Sequence, residues 1–192
     1  MHRLDLSSFK FTPLPALSVP RKGSGVGRAN NIFYEFGGKD GSGHDLMECE
    51  KWEMGGDSWT TAGSMNHPKV YFTPCNYHSS IYLVSSWDAS SRIVEKFDPD
   101  AETFTDLSVS LFTETISYTA SFVAYGELFL LTDKKQLACW KIATENTFRV
   151  VTTNGACDST RQPRVLGSQV LLANKGNVAK FSLETYSFIE SS

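Results

Sequence analysis

The sequence of 192 residues lacks the features that would mark it for nucleic acid or for a membrane. It has no run of lysine or arginine, and a net charge of −3 is too small to imply a polyanionic or polycationic partner. The longest apolar stretch, residues 128–131, is far shorter than a membrane span, and the N-terminus lacks the apolar segment of a secretory signal. We therefore expect neither a nucleic-acid partner nor a membrane partner.

Cysteine and histidine are also scarce, with four of each. The cysteines are scattered without a Cys-x-x-Cys pair, and no Asn-x-Ser/Thr sequon occurs, so we expect a reduced, soluble, cytoplasmic protein. Cys75 and His78 have the spacing of two metal ligands, but structural zinc needs four ligands and a second pair is missing. Cys75 is thus predicted to be a buried strand residue, and His44 and His67 to be solvated in loops. No cofactor is expected.

The motifs of common enzymes are missing as well. No Gly-x-Ser-x-Gly elbow occurs, and the histidines have no evident nucleophile or orienting partner. The glycine-rich residues 23–28 lack the third glycine and the following helix of a dinucleotide-binding loop. They are predicted instead to form an inner strand, where small side chains let neighbouring elements approach. The sequence therefore predicts a protein that is not an enzyme.

A pattern that repeats every 40 to 50 residues, roughly, is the main positive feature. Each copy has an apolar strand, then two large apolar landmark residues with a turn-forming segment between them. The strands are residues 33–36, 81–84, 128–131 and 170–173. The landmark pairs are Trp52 and Trp59, Phe97 and Phe104, Ile142 and Phe148, and Phe181 and Phe188. Such a period predicts an all-β propeller with four strands in each blade and almost no helix.

The first copy resembles a kelch repeat. Kelch repeats carry an arginine after a Leu-Pro-type strand, a double glycine, a glutamate before an aromatic residue, and a spaced tryptophan. Here these features are Arg21, Gly37, Gly38, Glu50, Trp52 and Trp59. The second copy keeps Glu95, Phe97 and Phe104, the glycine pair is lost in all three later copies, and Trp140 stands at the expected glutamate position of the third.

The whole chain, residues 1–192, is predicted to form one kelch-like domain. Its repeats are expected at about 15–65, 66–111, 112–154 and 155–192. In residues 1–14, Leu4 and Phe11 repeat the landmark spacing, which predicts an additional half blade. Kelch propellers usually have six or seven blades. A blade face left in water forgoes the stabilisation of about 25 cal/mol per Å² that burial of its apolar surface would give. We therefore expect either an arc completed by blades from another chain or a missing segment, or an unusually small ring.

The kelch resemblance implies a non-catalytic protein-interaction module or scaffold that holds its partner on one loop face. The loops between second and third strands open on this face, together with the connections between blades. Trp87 is expected either to anchor a partner or to fold back over its own blade. The expected partner-binding residues are Trp87, Asp88, Arg92, Asp40, His44, Lys134 and Lys135. The alternative function is a propeller that binds a carbohydrate or another small ligand.

Overall fold

The computed structural model of the protein describes residues 2–84, 93–109, 118–132, 136–142, 144–151, 163–174 and 177–189. Within these ranges all regular structure is β-strand, and no segment forms a helix long and apolar enough to cross a bilayer. The strands form four four-stranded antiparallel sheets arranged as a four-bladed propeller, together with a separate two-stranded sheet. The predicted all-β propeller fold is confirmed.

The chain forms one hairpin and then four meanders, in which consecutive strands pair. The hairpin consists of β1 (His2–Asp5) and β2 (Lys10–Pro13). The first blade consists of β3 (Gly25–Ala29), β4 (Ile32–Phe36), β5 (Glu48–Glu53) and β6 (Thr60–Ser64). The second consists of β7 (Cys75–Tyr77), β8 (Ser80–Leu83), β9 (Val94–Asp98) and β10 (Thr103–Leu107). The third consists of β11 (Tyr118–Ala124), β12 (Glu127–Thr132), β13 (Leu137–Lys141) and β14 (Arg149–Val151). The fourth consists of β15 (Arg164–Leu166), β16 (Gln169–Asn174), β17 (Asn177–Ser182) and β18 (Ser187–Ile189).

The second strand of the third blade is a continuous apolar run because both of its faces are covered. Successive side chains of a strand point to opposite faces. Accordingly, Leu128 and Leu130 pack in a core cluster with the second blade, whereas Phe129 and Leu131 pack in a cluster with the fourth. A third cluster joins the first and second blades. Among the described residues, no core cluster joins the fourth blade to the first.

The glycine-rich segment forms the inner strand β3, as predicted. First strands of consecutive blades contact one another, so this position is crowded. A Cβ atom at Gly25 would lie 2.7 Å from ring atoms of Pro74, and one at Gly27 would lie 3.1 Å from Ile81. Small side chains therefore allow the second blade to approach the first.

In the second and fourth blades the two landmark residues are cross-strand neighbours on the third and fourth strands. Phe97 lies opposite Phe104, and Phe181 lies opposite Phe188. In each blade the third-strand landmark also lies opposite the first residue of the predicted apolar strand. These pairs are Phe33 with Trp52, Ile81 with Phe97, Leu128 with Trp140, and Val170 with Phe181.

This register corrects the prediction for the third copy, whose landmark is Trp140 and not Ile142. The indole N–H of Trp140 donates to the carbonyl oxygen of Glu145 (2.8 Å), as the indole of Trp52 donates to Gly56 (2.8 Å). The ring of Trp140 lies 5.8 Å from that of Phe148. The glutamate of the first two copies stands two residues before the landmark, so in the third blade that position is Ala138 and not Trp140.

In the third blade, Thr132 stands at the position of the first glycine of the pair. Thr132 stays in strand β12. Its backbone N–H donates to the carbonyl oxygen of Gln136 (2.9 Å), and its hydroxyl oxygen accepts from the N–H of Gln136 (3.0 Å). A threonine hydroxyl therefore bridges the two ends of this connection, and Thr132 itself does not have the positive φ that Gly37 has in the first blade.

Candidate functional site

A buried ion pair holds the base of the loop that follows β4. Arg21 Nη2 lies 2.5 Å from Glu50 Oε1, and both side chains are almost fully buried. Arg21 also donates to the carbonyl oxygens of Gly37 (3.1 Å) and Glu48 (2.9 Å), and the N–H of Ser18 donates to Glu50 (2.8 Å). The pair therefore ties the segment that enters the blade to both ends of the loop.

The second blade repeats this arrangement with a lysine. Lys69 Nζ lies 3.0 Å from Glu95 Oε2, and both side chains are completely buried. Lys69 also donates to the carbonyl oxygen of Ile93 (2.9 Å), and the N–H of Asn66 donates to Glu95 (2.6 Å). Sequence reasoning missed Lys69. The available signal was Glu95, since a carboxylate on an apolar strand needs a buried cation.

Gly37 and Gly38 form the first turn of the loop. Their φ angles are +56° and +89°, and a Cβ atom at Gly37 would lie 2.6 Å from the carbonyl oxygen of Lys69. The N–H of Gly38 donates to the same oxygen (2.9 Å), and the N–H of Leu46 donates to the carbonyl oxygen of Gly38 (2.8 Å). The loop is thereby attached to the connection that leads into the second blade.

Asp40 and His44 lie together at the tip of this loop. The N–H groups of Ser42 and His44 each donate to Asp40 Oδ1 (2.8 Å), and His44 Nδ1 lies 3.2 Å from Asp40 Oδ2. The hydrogen bond from the N–H of His44 lowers the pKa of Asp40 below its usual value. Lys39 pairs with Asp45 across the base of the tip. The imidazole of His44 is 79% exposed, so a fixed loop presents it to solvent.

The other predicted partner-binding residues fall outside the described part of the chain. They are Trp87, Asp88, Arg92, Lys134 and Lys135. The loop-face prediction therefore has two residues with a described position, Asp40 and His44.

The N-terminal hairpin is exposed along its whole length, and it borders a cleft on the first blade. Its large apolar side chains are exposed, namely Leu4, Leu6, Phe9 and Phe11. The cleft has a volume of about 380 Å³ and is lined by His2, Arg3, Leu14, Val26, Phe33, Trp52 and Met54. Its lining is almost entirely apolar apart from the two basic residues of β1.

A second, more polar cavity of about 670 Å³ lies among the first strands of the blades. Arg28 and Asn76 line it from the first two blades, and Arg164 from the fourth. The guanidinium carbon of Arg28 lies 5.4 Å from the ring centre of Phe33, which also lines the cavity. Cationic, amide and aromatic groups therefore converge on one space.

Cys75 is a buried thiol in β7, as predicted. Its sulfur donates to the hydroxyl of Ser121 (3.3 Å), and burial raises its pKa to about 11. His67 is partly exposed, at 24% of its side chain, and its Nε2 lies 3.0 Å from Asp106 Oδ2. In the described ranges, no three His, Cys, Asp or Glu side chains lie close enough together to hold a metal ion.

Neither the scan against protein-family models nor the search of curated proteins finds a match to this chain.

Proposed function

We propose that the protein is a non-catalytic, kelch-type interaction module that binds a protein partner on its loop face. The observation that carries this proposal is the 37–46 loop, a short recognition loop held in one shape. A buried ion pair fixes its base, and hydrogen bonds to Asp40 fix its tip, so little conformational entropy is lost when a partner binds. The tip presents the exposed imidazole of His44.

The proposal places the protein in the cytoplasm. Three described cysteines, Cys49, Cys75 and Cys139, are free and buried. Buried thiols without disulfides are typical of proteins from reducing compartments.

The test compares partner recovery by single variants. His44→Ala removes the exposed imidazole, and Asp40→Ala removes the acceptor that shapes the tip. The partner is first identified by affinity purification with the wild type. We expect each variant to bind this partner with an affinity about tenfold lower, which corresponds to about 1.4 kcal/mol. The control is Asp57→Ala, at an exposed position in the turn between β5 and β6, at the opposite end of the same blade. Equal affinity of all three variants would contradict the proposal.

The second candidate function is binding of a carbohydrate or small ligand, which the cavity among the first strands favours. Two arginines, an amide and an aromatic ring suit an acidic sugar, which offers carboxylate and hydroxyl groups beside an apolar ring face. A panel of acidic and neutral oligosaccharides should raise the melting temperature of the wild type but not of Arg164→Ala. A panel without any shift would exclude this candidate.

A further inference from the structure

The β1–β2 hairpin has the geometry of the outer half of a blade. Leu4 lies opposite Phe11, in the relation that joins Phe97 to Phe104 and Phe181 to Phe188. By this register β1 corresponds to a third strand and β2 to a fourth. In every complete blade the third strand pairs on both edges, whereas β1 pairs within the described structure with β2 alone.

The cleft beside β1 occupies the place of the two strands that this half blade lacks. Phe33 and Trp52 line it, on the face of the first blade that corresponds to the Ile81 and Phe97 face of the second. In the second blade, that face packs into a core with the preceding blade. In the first blade the same face borders the cleft, where Val26 is 46% exposed.

Glu35 adds an independent observation on the same face. It lies opposite Val26 and Glu50 in the sheet, its side chain is 4% exposed, and its Oε2 has no hydrogen-bond partner in the described structure. Its Oε1 accepts a hydrogen bond from the hydroxyl of Ser24. In the second blade the equivalent position is Leu83, which packs against the preceding blade. Glu35 is therefore a buried acceptor on a face where other blades bury an apolar residue.

We propose that a β-hairpin from another polypeptide adds to the free edge of β1 and completes this blade. The register defines its chemistry. Opposite the landmark, the complete blades place Phe33, Ile81, Leu128 and Val170, so an apolar residue belongs opposite Leu4. The residue two positions later in the partner strand lies opposite His2, which is next to Arg3. A carboxylate at that position would complement the basic side chains of His2 and Arg3. The partner is an apolar hairpin with an acidic residue at that position.

The free edge of β1 in a second copy of this chain does not fit the description of the partner strand. The strand it would offer is β1, and three of its four residues carry ionisable side chains, namely His2, Arg3 and Asp5. By contrast, the second strand of each blade carries at least three large apolar or aromatic residues. The site lies on blade faces and a strand edge, away from the loop tip, so it stands independently of the proposal for the loop face.

The test uses a labelled synthetic peptide of residues 25–36, the β3–β4 hairpin, which carries Phe33 opposite the landmark and Glu35 two residues further. Fluorescence anisotropy with the full chain should show saturable binding. Val26→Asp places a charge in the apolar cleft and should weaken binding by about tenfold or more. The matched control is Val150→Asp, because Val150 is 49% exposed on the outer strand of the third blade. In the peptide, Glu35→Lys should also weaken binding.

A disulfide assay fixes the register. Directly opposed residues of antiparallel strands have Cα atoms about 4.5–5.5 Å apart, which suits a disulfide. The protein variant Leu4→Cys should therefore couple to peptide Phe33→Cys in a glutathione buffer, and much less to peptide Tyr34→Cys. Absence of saturable binding, equal binding by Val26→Asp and Val150→Asp, or equal coupling of both peptides would overturn the proposal. A dimer of the chain that Val26→Asp dissociates would assign the site to a second copy and overturn it as well.

Discussion

Buried charges of opposite sign stand at equivalent positions in the first two blades. Arg21 with Glu50 and Lys69 with Glu95 each connect an entering segment to a third strand. Removing both partners of a buried pair is often neutral, whereas removing one partner leaves an uncompensated charge in the interior. The pairs therefore act mainly by fixing how the segments enter the blades.

The first prediction concerns the pair in the second blade. Glu95→Gln keeps the shape of the side chain but leaves the Lys69 ammonium buried without its carboxylate, and should lower the free energy of unfolding by about 3–5 kcal/mol. The double variant Lys69→Met with Glu95→Leu should recover most of this loss. Urea unfolding followed by circular dichroism measures both. A single variant as stable as the wild type would contradict the assigned pair.

The second prediction concerns pH and Glu35. Burial raises the pKa of Glu35 above its usual value, so the folded state favours the protonated carboxyl. A group with a raised pKa stabilises the fold at low pH, and this contribution is lost as the pH rises through the folded pKa. The glutamine of Glu35→Gln stays neutral at every pH. The stability of this variant relative to the wild type should therefore increase from about pH 4, the usual pKa of a glutamate, to about pH 7.

The control for the pH series is Glu53→Gln, since Glu53 is an exposed glutamate of the same blade. Urea unfolding at each pH should show a larger change with pH, relative to wild type, for Glu35→Gln than for Glu53→Gln. Parallel curves for the two variants would show that Glu35 is not buried as a costly carboxylate.

Sequence reasoning succeeded where a residue repeats and failed where a repeat changes length. The aromatic landmarks of the first, second and fourth blades were predictable because their hairpins keep one spacing. In the third blade Trp140 and Phe148 are eight residues apart instead of seven, so the 45-residue interval that leads from Trp52 to Phe97 selects Ile142 in error. In the candidate site, the predicted residues Asp40 and His44 lie close together. The hydrogen bonds that hold them depend on the geometry of a single loop, which a repeating sequence pattern does not predict.

At the scale of elements, β3 is a strand selected for small side chains more than for strand propensity. Glycine weakens a strand interior and marks a close approach of another element. Gly25 does not have a positive φ, so the requirement there is space alone.

The third prediction tests that space. In Gly25→Ala the new methyl group would lie 2.7 Å from the rigid ring of Pro74, so the first two blades must move apart. We expect a loss of about 1–3 kcal/mol in the free energy of unfolding, as for other overpacked sites. The matched control is Gly41→Ala, because no atom lies within 4 Å of a Cβ there. Equal stability of the two variants would contradict the close approach.

For β3, the sequence predicts the strand itself but not the neighbour against which it packs. Its glycines predicted an inner strand because their spacing suits neither a phosphate loop nor a capped helix. The neighbour that requires them, Pro74, precedes another strand in a different repeat, and its contact depends on how two blades pack. The repeating sequence pattern predicts where the strands lie, whereas the contacts between repeats are known only from the structure.

At the scale of the whole molecule, the blades depend on one another in sequence order. In repeat architectures stability is a sum of terms within repeats and between nearest neighbours. The second blade contributes Leu83 to a cluster with the first blade and Tyr82 to a cluster with the third. The fourth blade buries Val170 and Leu172 against the third, but Val178 on its other face is 65% exposed. Terminal blades are therefore supported on fewer faces than central ones.

The fourth prediction follows from this difference and separates an arc from a closed ring. In an arc, the fourth blade opens without the central blades, so its amides should exchange with deuterium faster. Peptides from β12 and β13 should be protected about tenfold or more above those from β16 and β17, since each 1.4 kcal/mol of opening free energy is a factor of ten. Mass spectrometry resolves these segments. In a closed ring the fourth blade also rests on the first, all blades open together, and protection is uniform. If the 25–36 peptide completes the N-terminal half blade, adding it should raise protection at β1, whose free edge it pairs with, and leave β16 and β17 unchanged.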